Sequence, residues 1–405
     1  MADATSPDLV KVEKSEPSKF FLDRVLTIFS AHFIHDTYSS FLAPLLPNLI
    51  EKLSLSYTQA GSLSAIAQLP SLLNPIIGYL DDKMSLRIIV VLAPAVTATT
   101  MSCLGLAPSY IALVILLFIT GLSIAGFHSL APAMIARASG KEVGRGMSLL
   151  MAGGELGRTV GPLLASWGLL TFSLGGMFPI AIPGWIASLA IYLRFKNIPV
   201  HVDKQIGFFS IFPAARKLFI PLIGIVFFRT FLTTSLGVYL PTLMEGEGAS
   251  IWKAGSTLAI YQLAGVVGAF IGGTISDRLG RKKVLFFVIF LAPIMLITFL
   301  HATGWVIIPV LILAGLLGLS SQPILLAIVQ EQLPNHRSVG NGFFTAINFI
   351  CMSAAAVLIG ALGDRFGLRQ AFFWTAISGL LASPLVWLLP RSPNLTEEAP
   401  PQILE

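Results

Sequence analysis

The residues with chemistry to offer are few, and they stand where charge is least expected. Asp36 with His32 and His35 beside it, His128, Glu155 with Arg158, and Arg229 all interrupt long apolar stretches. Ionisable groups within hydrocarbon are costly and are usually functional. A carboxylate or imidazole there can take up and release a proton, and a guanidinium can hold an anion. Bond-making chemistry has no such support: the sequence shows no nucleophile elbow, no phosphate-binding glycine loop and no metal-ligand cluster. No enzyme, metal or cofactor is expected, and the lack of a nucleotide site argues against ATP as an energy source. Cys103 and Cys351 fall in different apolar stretches and read as small core residues, not as a disulfide.

The elements that carry these residues are dictated by composition. Hydrophobic residues make up 55% of the chain and charged residues 11%, with a mean hydropathy of +0.82. A soluble domain carries about 25% charge, so lipid must be the solvent. Stretches long enough to span, roughly 20 residues each, are predicted at about 22–50, 56–80, 88–107, 109–137, 145–171, 176–195, 217–244, 252–275, 284–302, 304–332, 339–363 and 370–390. Backbone groups in hydrocarbon must satisfy one another, which makes these spans helices and the fold class all-α. At about 1.5 Å per residue, Asp36, Glu155, Arg158 and Arg229 each lie roughly 15–20 Å deep, near the middle of a core about 30 Å thick.

The net charge of +6 reflects sidedness, not nucleic-acid binding. With the N-terminus inside, 20 of the 26 Lys and Arg residues fall in cytoplasmic segments and 4 in outer loops (Lys52, Lys253, Arg365, Arg369). That bias places both termini in the cytoplasm. The polar first 20 residues do not resemble a signal peptide, so the first span is its own insertion signal. The expected organisation is a tail at 1–20, a bundle of six spans at 21–196, a linker at 197–216, a second bundle of six at 217–391 and a tail at 392–405.

One loop occurs twice. Gly273-Thr-Ile-Ser-Asp277-Arg278-Leu-Gly280-Arg281 has a worn copy at Gly78-Tyr-Leu-Asp-Asp82-Lys83-Met-Ser-Leu-Arg87, and Asp277 minus Asp82 is 195 positions. Val143-Gly144-Arg145-Gly146 and Val339-Gly340-Asn341-Gly342 repeat at 196. A near-constant offset marks a tandem duplication of a membrane unit, the plan of a transporter with two parallel halves. In such loops the glycines allow close helix approach, and the aspartate can accept from the exposed N–H groups of a neighbouring helix start. The alternative is a plain basic topology loop. Asp82, Lys83, Arg87, Arg137, Gly273, Asp277, Arg278, Gly280, Arg281 and Glu331 are the candidate gating residues, with Glu331 facing Arg278 or Arg337.

The loop at 273–283 resembles the signature loop of the major facilitator superfamily, and the duplication, spans and linker fit the same family over nearly the whole chain. Ser85 and Leu86 depart from the signature in the first copy. In span 5, Gly157-Arg158-Thr-Val-Gly161-Pro162 is similar to the antiporter motif of drug–proton exchangers, although Ala165-Ser166 replace its later glycine pair. Phe127-His128, Ala136-Arg137-Ala-Ser-Gly140-Lys141, Arg145-Gly146 and Asp36 resemble the fosmidomycin-resistance group of exporters, where Glu155 and Arg158 are departures. The resemblance implies two pseudo-symmetric six-helix bundles, a bacterial inner-membrane monomer, and export of small molecules driven by the proton gradient through alternating access.

On that reading Asp36, assisted by His35 and then Glu155, carries the proton; the alternative is a static Asp36–Arg158 pair. Arg158 and Arg229 favour an anionic compound, unless Arg229 pairs with Asp36 or Glu155. His128, Tyr38, Phe127, Tyr261, Gln262, Gln322 and Asn348 are further substrate-contact candidates, each with an ordinary packing or hydrogen-bonding alternative. His32 reads as structural. A proton-coupled importer is the rival function, since one fold does both.

Overall fold

Every regular element among the described residues is helical, as a chain dissolved in lipid requires. The computed structural model describes residues 20–81, 87–140, 142–195, 212–333 and 337–390. The two tails, most of the linker, and the gating candidates Asp82 and Lys83 lie outside the described residues, as do the side chains of Arg87 and Arg337.

The helices group into twelve spans among the described residues. These are α1 (Leu22–Ser39 continued by Leu42–Leu53), α2 (Tyr57–Gln68 to Asn74–Asp81), α3 (Arg87–Ser102), α4 (Tyr110–Ser139), α5 (Val143–Phe172) and α6 (Ile182–Phe195). The second set is α7 (Phe212–Thr234 to Leu240–Gly246), α8 (Ile251–Leu279), α9 (Arg281–His301), α10 (Ile307–Gln332), α11 (Arg337–Phe366) and α12 (Leu368–Leu380 with Ala382–Leu385). Eight of them, α3, α4 and α7–α12, are long and apolar enough to cross a membrane by length and composition alone. The other four are interrupted, short or charged. α1 breaks near Ser40, α2 passes through a 3-10 turn at Leu69–Leu73 that contains Pro70, α6 is short, and α5 carries Arg145, Glu155 and Arg158. Proline removes a backbone donor and forces such local rewinding; α7 likewise widens to a π-turn at Ser235–Tyr239 just before Pro241.

Small residues decide which helices touch. A Cβ on Gly157 would stand 2.4 Å from Phe33 O and 2.9 Å from Thr37 N, and one on Gly161 would stand 2.2 Å from Thr37 O, so α5 lies directly on the α1 backbone. The same device seats α8 on α10, where a Cβ on Gly268 would stand 2.1 Å from Leu316 O and one on Gly315 2.4 Å from Tyr261 O.

The loops alternate between two faces. One, here the basic face, carries the junctions after α2, α4, α8 and α10; the opposite face carries those after α1, α3, α5, α7, α9 and α11. The first and last six helices meet through α2 against α11 and α5 against α8. The close approaches in both seams lie toward the opposite face: a Cβ on Gly61 would stand 2.1 Å from Ala356 O, one on Gly360 2.2 Å from Tyr57 O, and one on Gly255 3.0 Å from Pro162 O. Among the described residues every hydrogen bond between the halves is also at that end. Among the described residues, the close contacts that join the halves are thus on the opposite face.

Backbone atoms cannot move aside as a side-chain tip can, so Gly157→Leu is expected to lower stability by about 1–3 kcal/mol through overpacking. Gly144→Ala, with nothing within 4 Å of its Cβ, is expected to be neutral. Thermal unfolding of the two purified variants in detergent checks this; equal losses would show that the α1–α5 approach is not the cause.

Candidate functional site

The charged residues of the first half converge on Asp36, which is buried with 1% of its surface exposed. His32, one helical turn before it, brings Nε2 to 3.4 Å from Asp36 Oδ2, and His128 from α4 brings Nε2 to 3.4 Å from Oδ1. Arg158 lies 3.6 Å from Oδ2 and pairs more closely with Glu155 one turn earlier on α5. Room for this cluster comes from Gly154, whose Cβ would stand 2.5 Å from His32 Nε2 and 3.0 Å from Asp36 Oδ2. Asp36, Glu155 and Arg158 sum to one net negative charge when the histidines are neutral.

The hydrogen bonds fix the tautomers. His32 Nδ1 is 2.7 Å from Leu150 O and His128 Nδ1 is 3.1 Å from Ile124 O. A carbonyl only accepts, so both Nδ1 atoms carry the proton and both Nε2 atoms of the neutral rings present lone pairs. Those lone pairs face each other at 3.1 Å, beside a carboxylate. The arrangement is complete with one cation between them. His32, Asp36 and His128 thus form a group able to hold a metal ion, which sequence spacing did not suggest because the ligands come from two distant helices. The nearby Arg158 guanidinium disfavours a divalent ion there.

His35 takes no part. It is fully buried, stacks on Phe127 with centroids 4.6 Å apart, and its Nδ1 lies 3.1 Å from Thr97 Oγ1, which itself donates to Ser123 Oγ at 2.9 Å. Neighbours at i and i+1 point about 100° apart on a helix, whereas i and i+4 share a face. The histidines with a ring nitrogen 3.4 Å from the Asp36 carboxylate are therefore His32 and His128, while the expected assistant His35 is held against Phe127 and Thr97.

The second half presents one charge. Arg229 of α7 is 8% exposed and donates to Ser321 Oγ at 2.7 Å, to Asn348 Oδ1 at 3.0 Å and to Gln322 Oε1, while its Nε has no partner. All three acceptors are neutral, and among the described residues no carboxylate pairs with it, so the expected alternatives of Asp36 or Glu155 as its partner are not seen. A narrow crevice lined by Leu232, Thr233, Pro293, Gly318 and Ser321 adjoins the guanidinium.

A family profile described as Major Facilitator Superfamily matches residues 28–356. The chain belongs to the major facilitator superfamily. It is 27% identical over 371 residues to the fosmidomycin resistance protein of Escherichia coli K12, covering 88% of this chain and 90% of that protein. It is also 27% identical over 382 residues to an uncharacterized MFS-type transporter of Bacillus subtilis 168, covering 90% and 92%. Among solved structures, an inward-facing bacterial homolog of the human lysosomal transporter Spinster superposes with a TM-score of 0.78 at 16% identity, covering 92% of this chain and 97% of that one. A D-xylose–proton symporter gives 0.75 at 15% identity, covering 92% and 99%. The protein is thus a multi-pass membrane transporter and not an enzyme.

In this superfamily member the other predicted residues separate by burial. Tyr38, Phe127 and Tyr261 are 1%, 0% and 1% exposed, so their rings pack between helices instead of lining a cavity, and Tyr38 donates to Ile180 O at 2.5 Å. Gln322 and Asn348 serve Arg229, and Gln262 is half-buried on α8. At the basic face Arg281 reaches Asp277 at 2.5 Å, Ser276 at 2.8 Å and Glu331 at 2.9 Å. Arg281 is thus an observed partner of Glu331; Arg278 is exposed, and the side chain of Arg337 lies outside the described residues. Gly280 adopts φ +96°, which favours glycine, while a Cβ on Gly273 would meet nothing within 4 Å; Arg137 is half-buried in the last turn of α4. The sequence reading missed His32, for which its i, i+4 spacing from Asp36 was the available signal, and Ser321, for which none was.

Removing Arg158 would leave two negative charges near mid-membrane, and removing Asp36 as well would restore one. Arg158→Gln is expected to lower stability by about 1–2 kcal/mol, given that its side chain is partly exposed, and Asp36→Asn is expected to recover most of that loss. Thermal unfolding of the single and double variants tests the balance; additive losses would count against it.

Proposed function

We propose that this transporter exports small organic anions in exchange for protons, rocking its two halves about a mid-membrane site as a monomer in the bacterial inner membrane. The observation that carries the reading is the asymmetry of charge. The first half holds an incomplete cluster that one proton would bring to neutrality; the second holds a buried arginine with only neutral partners. In this scheme Asp36 shares the proton with His32 and His128, while Glu155 and Arg158 set the local balance. Arg229, oriented by Ser321, Gln322 and Asn348, anchors the anion. The proton gradient supplies the energy and no cofactor takes part. The name of the Escherichia coli relative, a fosmidomycin resistance protein, is in keeping with removal of a toxic compound. The basic face is the cytoplasmic one by its excess of Lys and Arg, which makes this conformation inward-facing. Likeness in fold to a proton symporter keeps import as the rival direction.

The test uses proteoliposomes with an acid lumen and fosmidomycin as the probe. Adding it outside is expected to release luminal protons from wild-type vesicles, with no release from Asp36→Asn. In Arg229→Gln the half-saturating concentration should rise roughly tenfold or more, the cost of losing a charged hydrogen-bond donor. Probe-driven acidification of pH-balanced vesicles would mark symport and sink the exchange reading.

A further inference from the structure

A third copy of the loop motif lies at the other end of the membrane. The junction of α8 and α9 reads Gly273-Thr-Ile-Ser-Asp277-Arg278-Leu-Gly280; the junction of α11 and α12 reads Gly360-Ala-Leu-Gly-Asp364-Arg365-Phe-Gly367. Both are Gly-x-x-x-Asp-Arg-x-Gly, 87 positions apart (364 minus 277). Their backbones agree as well. Gly280 has φ 96°, ψ 130° and Gly367 has φ 83°, ψ 151°, each at the N-cap of the next helix. Each N–H bonds to the carbonyl four residues back, Gly280 to Ser276 at 3.1 Å and Gly367 to Gly363 at 2.8 Å. One motif ends α8 on the basic face and the other ends α11 on the opposite face. Such placement is the mark of an inverted three-helix repeat, α7–α9 against α10–α12.

Asp364 spans the seam between the halves. Its Oδ1 accepts from the Tyr57 N–H at 2.6 Å, and its Oδ2 accepts from the Thr58 N–H at 2.9 Å and the Thr58 hydroxyl at 2.5 Å. Ser56 caps the next donor, Gln59 N–H, from within α2. The exposed N–H groups of the α2 start are therefore divided between its own N-cap and a carboxylate from the other half, which also meets the positive end of the helix dipole. The remaining bond between the halves, from the Tyr239 hydroxyl to Tyr57 O at 2.9 Å, ends on the same turn. All the cross-half hydrogen bonds among the described residues thus converge on Tyr57 and Thr58.

Asp277, the twin, pairs within its own half with Arg281 at 2.5 Å. Across from α8, helix α5 begins on the basic face with no side-chain cap at its N-cap Glu142. We propose that Asp364 is the latch of the face opposite the basic one, holding it shut by capping α2 across the seam, and so the opposite-face counterpart of the signature-loop aspartate Asp277, which the sequence already marks as the cap of a neighbouring helix start, here α5, when the basic face closes. The two aspartates would then set the balance between the conformations with opposite sign.

The experiment reads conformation, not transport, so it stands apart from the exchange reading. In a background lacking Cys103 and Cys351, spin labels at Ser109→Cys and Thr303→Cys, both exposed on the latched face, report the distance between the halves in lipid nanodiscs. An amide at 364 would turn an N–H toward Thr58 in place of an acceptor. Asp364→Asn is therefore expected to move the closed-to-open ratio roughly tenfold toward longer distances, as losing a helix cap would. Thr58→Val, which deletes one of the three bonds, should move it less in the same direction and serves if Asp364→Asn does not fold. Asp277→Asn should increase the closed population. An unchanged distribution in both Asp364→Asn and Thr58→Val overturns the latch, and a shift of Asp277→Asn toward longer distances overturns the pairing of the two aspartates.

Discussion

Charge in hydrocarbon is tolerated only when something nearby answers it, and the interior of this transporter is organised around two different answers. In the first half, Asp36 is met by two imidazoles and a guanidinium that is itself held by Glu155. In the second, Arg229 is met by a hydroxyl and two amides. Neutral acceptors orient a guanidinium but leave its charge in place. The first answer falls one positive charge short and the second one negative charge short; on the exchange reading, a proton and an anion complete them.

Close packing makes the first answer possible. Gly153, Gly154, Gly157 and Gly161 let α5 settle on the α1 backbone, which carries Glu155 and Arg158 to the level of Asp36. A side chain at 154 would fill the space His32 now occupies. The helix-5 glycines are therefore a geometric condition for the ion cluster as well as a packing device: Gly157 and Gly161 seat α5 on α1, and Gly154 leaves room for His32.

Much of this was legible in the sequence, and the failures are instructive. Asp36, Arg158 and Arg229 announced themselves as charges inside apolar runs, and the helix-5 glycines as sites of close approach. Adjacency in sequence points to His35, yet it is His32, one turn away, that brings a ring nitrogen to 3.4 Å from Asp36, because i and i+4 share a helix face. Tyr38, Phe127 and Tyr261 looked like ligand contacts, but membrane bundles also bury aromatics, and which side of a helix faces a cavity depends on neighbours that one sequence does not reveal. Asp364 escaped because a search at the offset of the tandem repeat finds only parallel copies. The inverted copy lies at another offset, at the other end of its helix.

Inverted repetition also bears on how a proton could move the protein. A bound ion shifts a conformational equilibrium only by the difference in its affinity for the two states. The seam at α5–α8 involves a helix that also bears on the central cluster: α5 carries Glu155 and Arg158 directly, and it meets α8, which ends in Asp277. Neutralising the cluster changes the charge that α5 must keep solvated or paired as the halves close over it. On the exchange reading, that cost is where proton binding and closure of the basic face would be joined. A neutral cluster could be enclosed, while a net charge would favour the open side, where Glu155, Arg158 and His128 keep 26%, 39% and 34% of their side chains exposed.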